Sequence, residues 1–424
     1  MKQSNRVFIT GRSALTASGN TAEATWDAIL NGQSGIAEIA EWDLSQWSTR
    51  LGGELKNFQP AKMLPDRKLI KVISRQDVIG INAAVQAVEH SQMLSYRDTL
   101  TDVDAYNDQS AVFVGSPGNK YFQQYDFLPL LAKTHGQMQP FAQHLFEEVH
   151  PMWLLRILPN NVLAYTGITY GFKGPNHNVT NHAVGGTQAL VEAYHAISSG
   201  QVDRAVVVAY DVAEPQSLFY YEQLGVLSQR HLKPFDEEHD GTIMAEGAAA
   251  LVLESEASVR ARSATCYGEI IGGLSNSEVA GLFSIEADGQ QLTELMHRTL
   301  SSVDLKPQDI GFIVAHGNGN VKSDDSEAQA INNVFAQQAI PVTAFKWSMG
   351  HTICASGLID AVLATYALET QCVPGIANLQ QVAASCSELS VSAEHRPLNR
   401  STHALIINRG FASMNTCLVI KSGE

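Results

Sequence analysis

Short apolar runs, each bounded by glycine or turn residues and each followed by a helical pattern, recur along the whole chain and restrict its fold more than any other feature. Residues 6–11, 110–115 and 204–210 in the first part, and 310–315 and 403–408 in the second, read as buried strands. Residues 21–30, capped by Asn20 or Thr21, and residues 326–335 and 356–370 read as helices. Strands alternating with helices predict a layered α/β fold. The return of the pattern in the second part predicts an internal duplication. The expected halves are residues 1–255 and 256–424, meeting in the polar stretch 254–263. No low-complexity segment or long linker interrupts them, so the halves should pack as one body.

Composition narrows the classes of function. With 424 residues, 45% hydrophobic and 17% charged, the chain can bury a large core and is not disordered. Its 43 acidic residues against 28 basic ones leave a net charge of −15, which argues against nucleic-acid and membrane partners. A local basic patch that docks an acidic protein stays open. The apolar runs 205–210 and 248–253 are too short to span a bilayer, and residues 7–9 too short for a signal-peptide core. The cysteines are Cys266, Cys354, Cys372, Cys386 and Cys417, without CxxC or metal-like spacing. They read as reduced packing residues of a cytoplasmic protein, with no metal site. None precedes Cys266.

The motifs are more specific. Gly174-Pro175-Asn176 leads to Gly185-Gly186-Thr187, and Lys233-Pro234-Phe235-Asp236 leads to Asp240-Gly241 and Met244–Ala248. Ala315-His316-Gly317 precedes Asp324 and Glu327, and Lys346 precedes Gly350-His351 and Gly357. With the opening residues 7–11 and Asn20, this ordered set resembles the β-ketoacyl-(acyl carrier protein) synthases of the thiolase fold. The resemblance implies a duplicated five-layer αβαβα architecture and no cofactor, the substrates riding on the phosphopantetheine of acyl carrier protein. In that family a cysteine thiolate at a helix N-terminus takes the acyl chain, its pKa lowered by the helix dipole. Two histidines polarise the malonyl thioester and backbone N–H groups hold the oxyanion. The resemblance makes His316 and His351 the histidines, Lys346 the lysine that orders them, and Phe411 the gate residue whose N–H joins the oxyanion hole.

The nucleophile position falls on Ala183, which cannot carry an acyl group. Asn318 and Asn320 replace hydroxyl residues around the pantetheine channel, Trp347 stands where a small residue is expected, and Arg409 replaces an aromatic near the gate. A single Cys→Ala exchange would have left such neighbours intact, so the loss reads as natural. The implied function is that of a chain-length factor: a non-condensing subunit that pairs with an active ketosynthase and limits elongation, with aryl-polyene systems the preferred setting. A malonyl carrier-protein decarboxylase, or an inactivated 3-oxoacyl synthase, is the alternative.

Plainer readings stand beside these. His182 is a replacement base or a hydrogen-bonded packing residue. The two histidines and Lys346 are catalysts or relics that hold the pocket together. Glu246 reads as a structural carboxylate, and Gly185-Gly186 as close backbone packing rather than a phosphate loop. Tyr121, Phe122, Tyr125 and Phe127 either close the partner's acyl tunnel or are plain core. Residues 178–183 and 151–166 are expected in a large interface with the partner ketosynthase.

Overall fold

The computed structural model describes residues 5–118, 127–335 and 338–423. Among these, ten strands form the main sheet: β1 (Val7–Leu15), β2 (Ser110–Gly115), β3 (Asn176–Val179), β4 (Arg204–Asp211), β5 (Gly247–Ser255), β6 (Gly268–Ser277), β7 (Phe312–Val314), β8 (Val342–Thr343), β9 (His403–Gly410) and β10 (Met414–Ser422). Their order is β8-β7-β9-β10-β6-β1-β5-β4-β2-β3. The sheet halves join where residues 7–9 pair with 268–270. Outward from that seam, each half repeats one plan: two antiparallel pairings followed by two parallel ones.

Five helices complete the frame: α1 (Arg75–Ser91), α2 (Gly185–Ser198), α3 (Gln290–Ser302), α4 (Val321–Phe335) and α5 (Ser356–Thr370). Helices α2 and α5 lie between the halves, α2 touching β2, β4 and β6 and α5 touching β9, β10 and β5. On the outer faces, α1 covers β1, β4 and β5, while α3 covers β6 and β10 with α4 against it. The layers therefore run helix, sheet, helix, sheet, helix.

The central position explains the sequence of α5. Residues Ile353–Thr370 are long and apolar enough to cross a membrane, yet 89% of them are buried inside the fold. A helix packed on every side needs no polar face. Where α2 and α5 meet, backbone touches side chain directly: a Cβ on Gly357 would stand 2.0 Å from Thr187 Oγ1, and one on Gly186 2.6 Å from the Cys354 carbonyl.

Several elements depart from the sequence pattern for identifiable reasons. Strand β1 continues to Leu15 because its polar members are partnered inside: the Arg12 guanidinium lies 3.6 Å over the Tyr366 ring and bonds Thr365 and Glu369. Strand β6 has no clear sequence signature, because Gly272-Gly273 and four polar residues break its apolar run, and its ladders to β1 and β10 create it. Helix α4 starts at Val321, five residues before the apolar period becomes visible. The polar stretch 254–263 is folded rather than extended. It forms the helix Glu256–Arg262, capped by Ser255, and Arg262 folds back onto buried Glu254.

Candidate functional site

The site is assembled by turns at the ends of strands. Strand β7 runs into Ala315-His316-Gly317, where the buried Glu327 carboxylate of α4 accepts the His316 N–H at 2.7 Å and the Gly317 N–H at 2.9 Å. Burial pushes the Glu327 carboxyl up to about 7. His351 is fixed by its backbone, its N–H bonding the Ile243 carbonyl at 2.7 Å and its carbonyl accepting the Ala245 N–H at 3.0 Å. The two rings then stand edge to face with centroids 5.2 Å apart.

Burial holds both histidines well below their ordinary value, and the Lys346 charge adds to the effect. Both are neutral at pH 7. The Arg409 backbone N–H points at His316 Nδ1 from 3.3 Å. An N–H can only donate, so Nδ1 accepts there, with the Asn408 amide nitrogen a further donor at 3.3 Å. His351 Nδ1 is buried with no hydrogen-bond partner among the described residues. Such an orphan in a cavity is a place for a ligand's polar atom.

His316, His351, Asn318, Asn320 and Phe411 line one cavity of about 330 Å³, together with His182, Tyr221 and Thr242. Lys346 stands behind it, its ammonium 3.0 Å from Asp360 in an ion pair that is 2% exposed on each side. Trp347 faces the core rather than the cavity. Glu246 does not line it, bonding Arg75 and the Leu55 N–H as a structural carboxylate. The Asn318 and Asn320 side-chain oxygens accept backbone N–H groups of Asn320 and Ser323.

Ala183 sits in the turn His182–Val184 that leads into α2 and is completely buried. Gly410 packs on this turn, a Cβ there falling 3.3 Å from the Ala183 nitrogen. The Phe411 N–H is already engaged: it donates to His182 Nδ1 at 3.2 Å, and the two rings stack at 4.3 Å. The donor expected to join an oxyanion hole is therefore held by the His182 imidazole in this structure. His182 Nε2 lies 2.8 Å from the Tyr221 hydroxyl, and burial pulls the ring down to about 4. Of the two readings of His182, this geometry is the packing one.

Arg409 is buried in a network, bonding Glu278 at 2.6 Å, Asn415 at 3.1 Å and the Ser323 carbonyl at 3.0 Å. This ties the segment after β6 to the β9–β10 turn, which the Ser413 hydroxyl holds again through the Gly281 and Ser284 carbonyls. Tyr121, Phe122 and Tyr125 lie outside the described residues. Phe127 packs edge-on against Phe141 and Trp153 at 6.2 and 5.5 Å, within a helical insertion. Sequence reasoning missed Tyr221, Thr242 and Asp360, which sit outside the histidine motifs.

The duplicated sheet, the paired central helices and the strand-end histidines define a thiolase-fold ketosynthase. Residues 4–258 match the beta-ketoacyl synthase N-terminal domain and residues 267–380 the beta-ketoacyl synthase C-terminal domain. The chain belongs to the beta-ketoacyl synthase family. It is 29% identical over 430 residues to 3-oxoacyl-[acyl-carrier-protein] synthase 2 of Synechocystis sp., covering 99% of this chain and 98% of that protein. It is 27% identical over 436 residues to the Staphylococcus aureus enzyme of the same name, covering all of both. Among solved structures it is similar to the ishigamide ketosynthase/chain length factor, with a TM-score of 0.88, 22% identity and 99% of each chain covered. It is also similar to AntDE:AntF, a type II PKS acyl-carrier protein in complex with its ketosynthase, with a TM-score of 0.85, 22% identity and coverage of 99% and 100%.

Proposed function

We propose that this chain is a non-condensing ketosynthase subunit, a chain-length factor that pairs with an active β-ketoacyl synthase and limits elongation of a carrier-bound polyene-type chain, as in aryl-polyene systems. Ala183 carries this reading. The nucleophile position at the head of α2 offers only a methyl group, and the adjoining Phe411 N–H is spent on His182. Cys354, at the corresponding turn before α5, does not substitute, because burial holds its thiol protonated well above the ordinary range. The proposed halves of the duplication, 1–255 and 256–424, divide after β5, the last strand of the first half in chain order.

Two surfaces support the partners. Strand β3 is the edge of the sheet, with Asn176 and His177 exposed. The insertion beside it leaves Phe146 83%, Leu154 60% and Ile168 72% exposed. An unpaired edge next to bare apolar side chains favours a large interface, of the obligate class above about 2,000 Å². Lys62, Arg67, Lys68 and Lys71 form an exposed basic ridge with no ion-pair partner among the described residues, in a chain of charge −15. It suits an acidic carrier protein.

A second reading, decarboxylation of a malonyl carrier protein, draws on the paired neutral histidines and the unpartnered His351 Nδ1. The test is to purify the chain alone and with a neighbouring ketosynthase gene product. The expected result is a heterodimer whose product length changes with this subunit, no acyl label on this chain, and no carbon dioxide release without the partner. A stable monomer at micromolar concentration by sedimentation, or an acyl group transferred to this chain, overturns the proposal. Carbon dioxide released by the chain alone selects the second reading.

A further inference from the structure

A cavity of about 350 Å³ is built entirely from the first half of the chain and shares no lining residue with the histidine cavity. Its floor is apolar: Leu15 from the end of β1, Leu55, Phe58 and Met63. Leu15 and Leu55 are buried, Phe58 and Met63 half-buried. Lys56 and Lys62 line it as well, both exposed and neither in an ion pair among the described residues. No acidic side chain lines this cavity, in a chain where 43 acidic residues face 28 basic ones.

The walls are fastened from several sides. The Asn82 amide of α1 donates to the Met63 carbonyl at 2.9 Å, and the Asn20 amide donates to the Lys56 carbonyl at 2.9 Å. The Gln86 amide joins them, donating to the Asn20 carbonyl at 3.1 Å and to the Asn82 side chain at 2.8 Å. From beneath, the Glu246 carboxylate accepts the Leu55 N–H at 2.6 Å, and the Arg75 guanidinium lies 3.9 Å over the Phe58 ring. A space held in this way is formed before a ligand enters it, and its volume is within the range of small-molecule sites.

The lining selects the ligand. Hydrocarbon gains by displacing water from the floor, and an anion gains by charge-assisted hydrogen bonds to the two ammonium groups. A neutral amphiphile leaves the lysines unused, and a small hydrophilic anion leaves the floor wet. We propose that this cavity binds a free medium-chain carboxylic acid as its anion, the tail on Leu15, Leu55, Phe58 and Met63 and the carboxylate at Lys56 and Lys62. The site does not depend on the proposed pairing with a ketosynthase. Lys62 also begins the basic ridge, so an acid bound here would compete with a partner docked there.

The probes are decanoate, octanoate and decanol, titrated into the purified full-length chain in whatever assembly it adopts. Calorimetry gives the affinities, and the NMR spectrum of methyl-labelled methionine gives the place: Met63 lines this cavity and Met244 the histidine cavity. Met63→Leu and Met244→Leu assign the two resonances. Decanoate should shift the Met63 methyl and leave that of Met244 in place. Octanoate should bind about tenfold more weakly, two buried methylenes fewer. Decanol should also bind about tenfold more weakly, and Lys56→Gln, at an exposed position, should weaken decanoate about threefold with decanol unchanged. A shift at Met244 without one at Met63 overturns the proposal, as does decanol binding as tightly as decanoate. Decanoate affinity that survives Lys56→Gln combined with Lys62→Gln overturns it too.

Discussion

Replacing Lys346 by methionine tests the electrostatics behind the histidines. The change keeps the apolar stem and removes the ammonium that stands 3.0 Å from Asp360. Burial already pushes the Asp360 carboxyl up, and Lys346 is what opposes that push. Without it, the folded chain either keeps an unpaired buried anion or protonates it. Protonating a carboxyl of ordinary value 3.8 at pH 7 costs about 4 kcal/mol, so the destabilisation is capped there and agrees with the roughly 3–5 kcal/mol lost when one partner of a buried pair is removed. The double variant Lys346→Met/Asp360→Leu removes both charges and should recover about 2–3 kcal/mol. The sign with pH follows from linkage. In Lys346→Met the folded pKa of Asp360 lies above its unfolded value, so the deficit is small near pH 4 and grows as pH rises towards 7. Denaturant unfolding of the three proteins at pH 5, 6 and 7 measures this. A single-variant loss below about 1 kcal/mol, or a loss that does not change with pH, refutes the reasoning.

Other outcomes follow from the same geometry. His182, lowered to about 4 by burial from an ordinary value of 6.5, is neutral in the fold; the stability difference is complete above pH 6.5 and shifts against the folded state as pH falls towards 4, by up to about 3 kcal/mol. NMR titration of its ring checks this, and a midpoint near 6.5 contradicts it. Ala183→Cys should yield a thiol that alkylating reagents reach slowly and a condensation rate far below that of an active synthase, because the Phe411 N–H remains on His182; a full rate in a malonyl condensation assay sinks that account. Gly357→Ala drives a methyl into Thr187 and should cost about 3 kcal/mol or more in denaturant unfolding, with Thr187→Ala restoring part of it. Arg409→Leu strands Glu278 and should destabilise the fold by about 3–5 kcal/mol, whereas Arg409→Leu with Glu278→Leu loses less; equal losses in the two argue against a coupled pair.

Much of the fold was legible in the sequence, and what was not has a common cause. Helix α5 could be read end to end because its apolar run is flanked by a polar start and stop. The histidines were found through the family resemblance carried by Ala315-His316-Gly317 and Gly350-His351. Strand β6 could not be read, since its identity comes from ladders to residues far along the chain. Tyr221, Asp360 and the Arg409–Glu278 pair escaped for the same reason. Each acquires its role from a neighbour contributed by another element, and only the folded arrangement supplies that neighbour. The first strand, read as ending at Gly11, runs on through Arg12, whose charge is sheathed by two tyrosine rings.

The tight packing at Gly186 and at Gly357, where α2 meets α5, bears on how such a molecule can change over generations. Two copies of one plan were joined in a single chain, and at their centre neither leaves room for the other to enlarge. A drift in one copy must be answered by a drift in the other, since Thr187 and the Cys354 backbone occupy the space that a larger residue would need. The periphery of each copy carries no such obligation. Loops and insertions are free to diverge, while the interlocked centre keeps the two copies matched to each other.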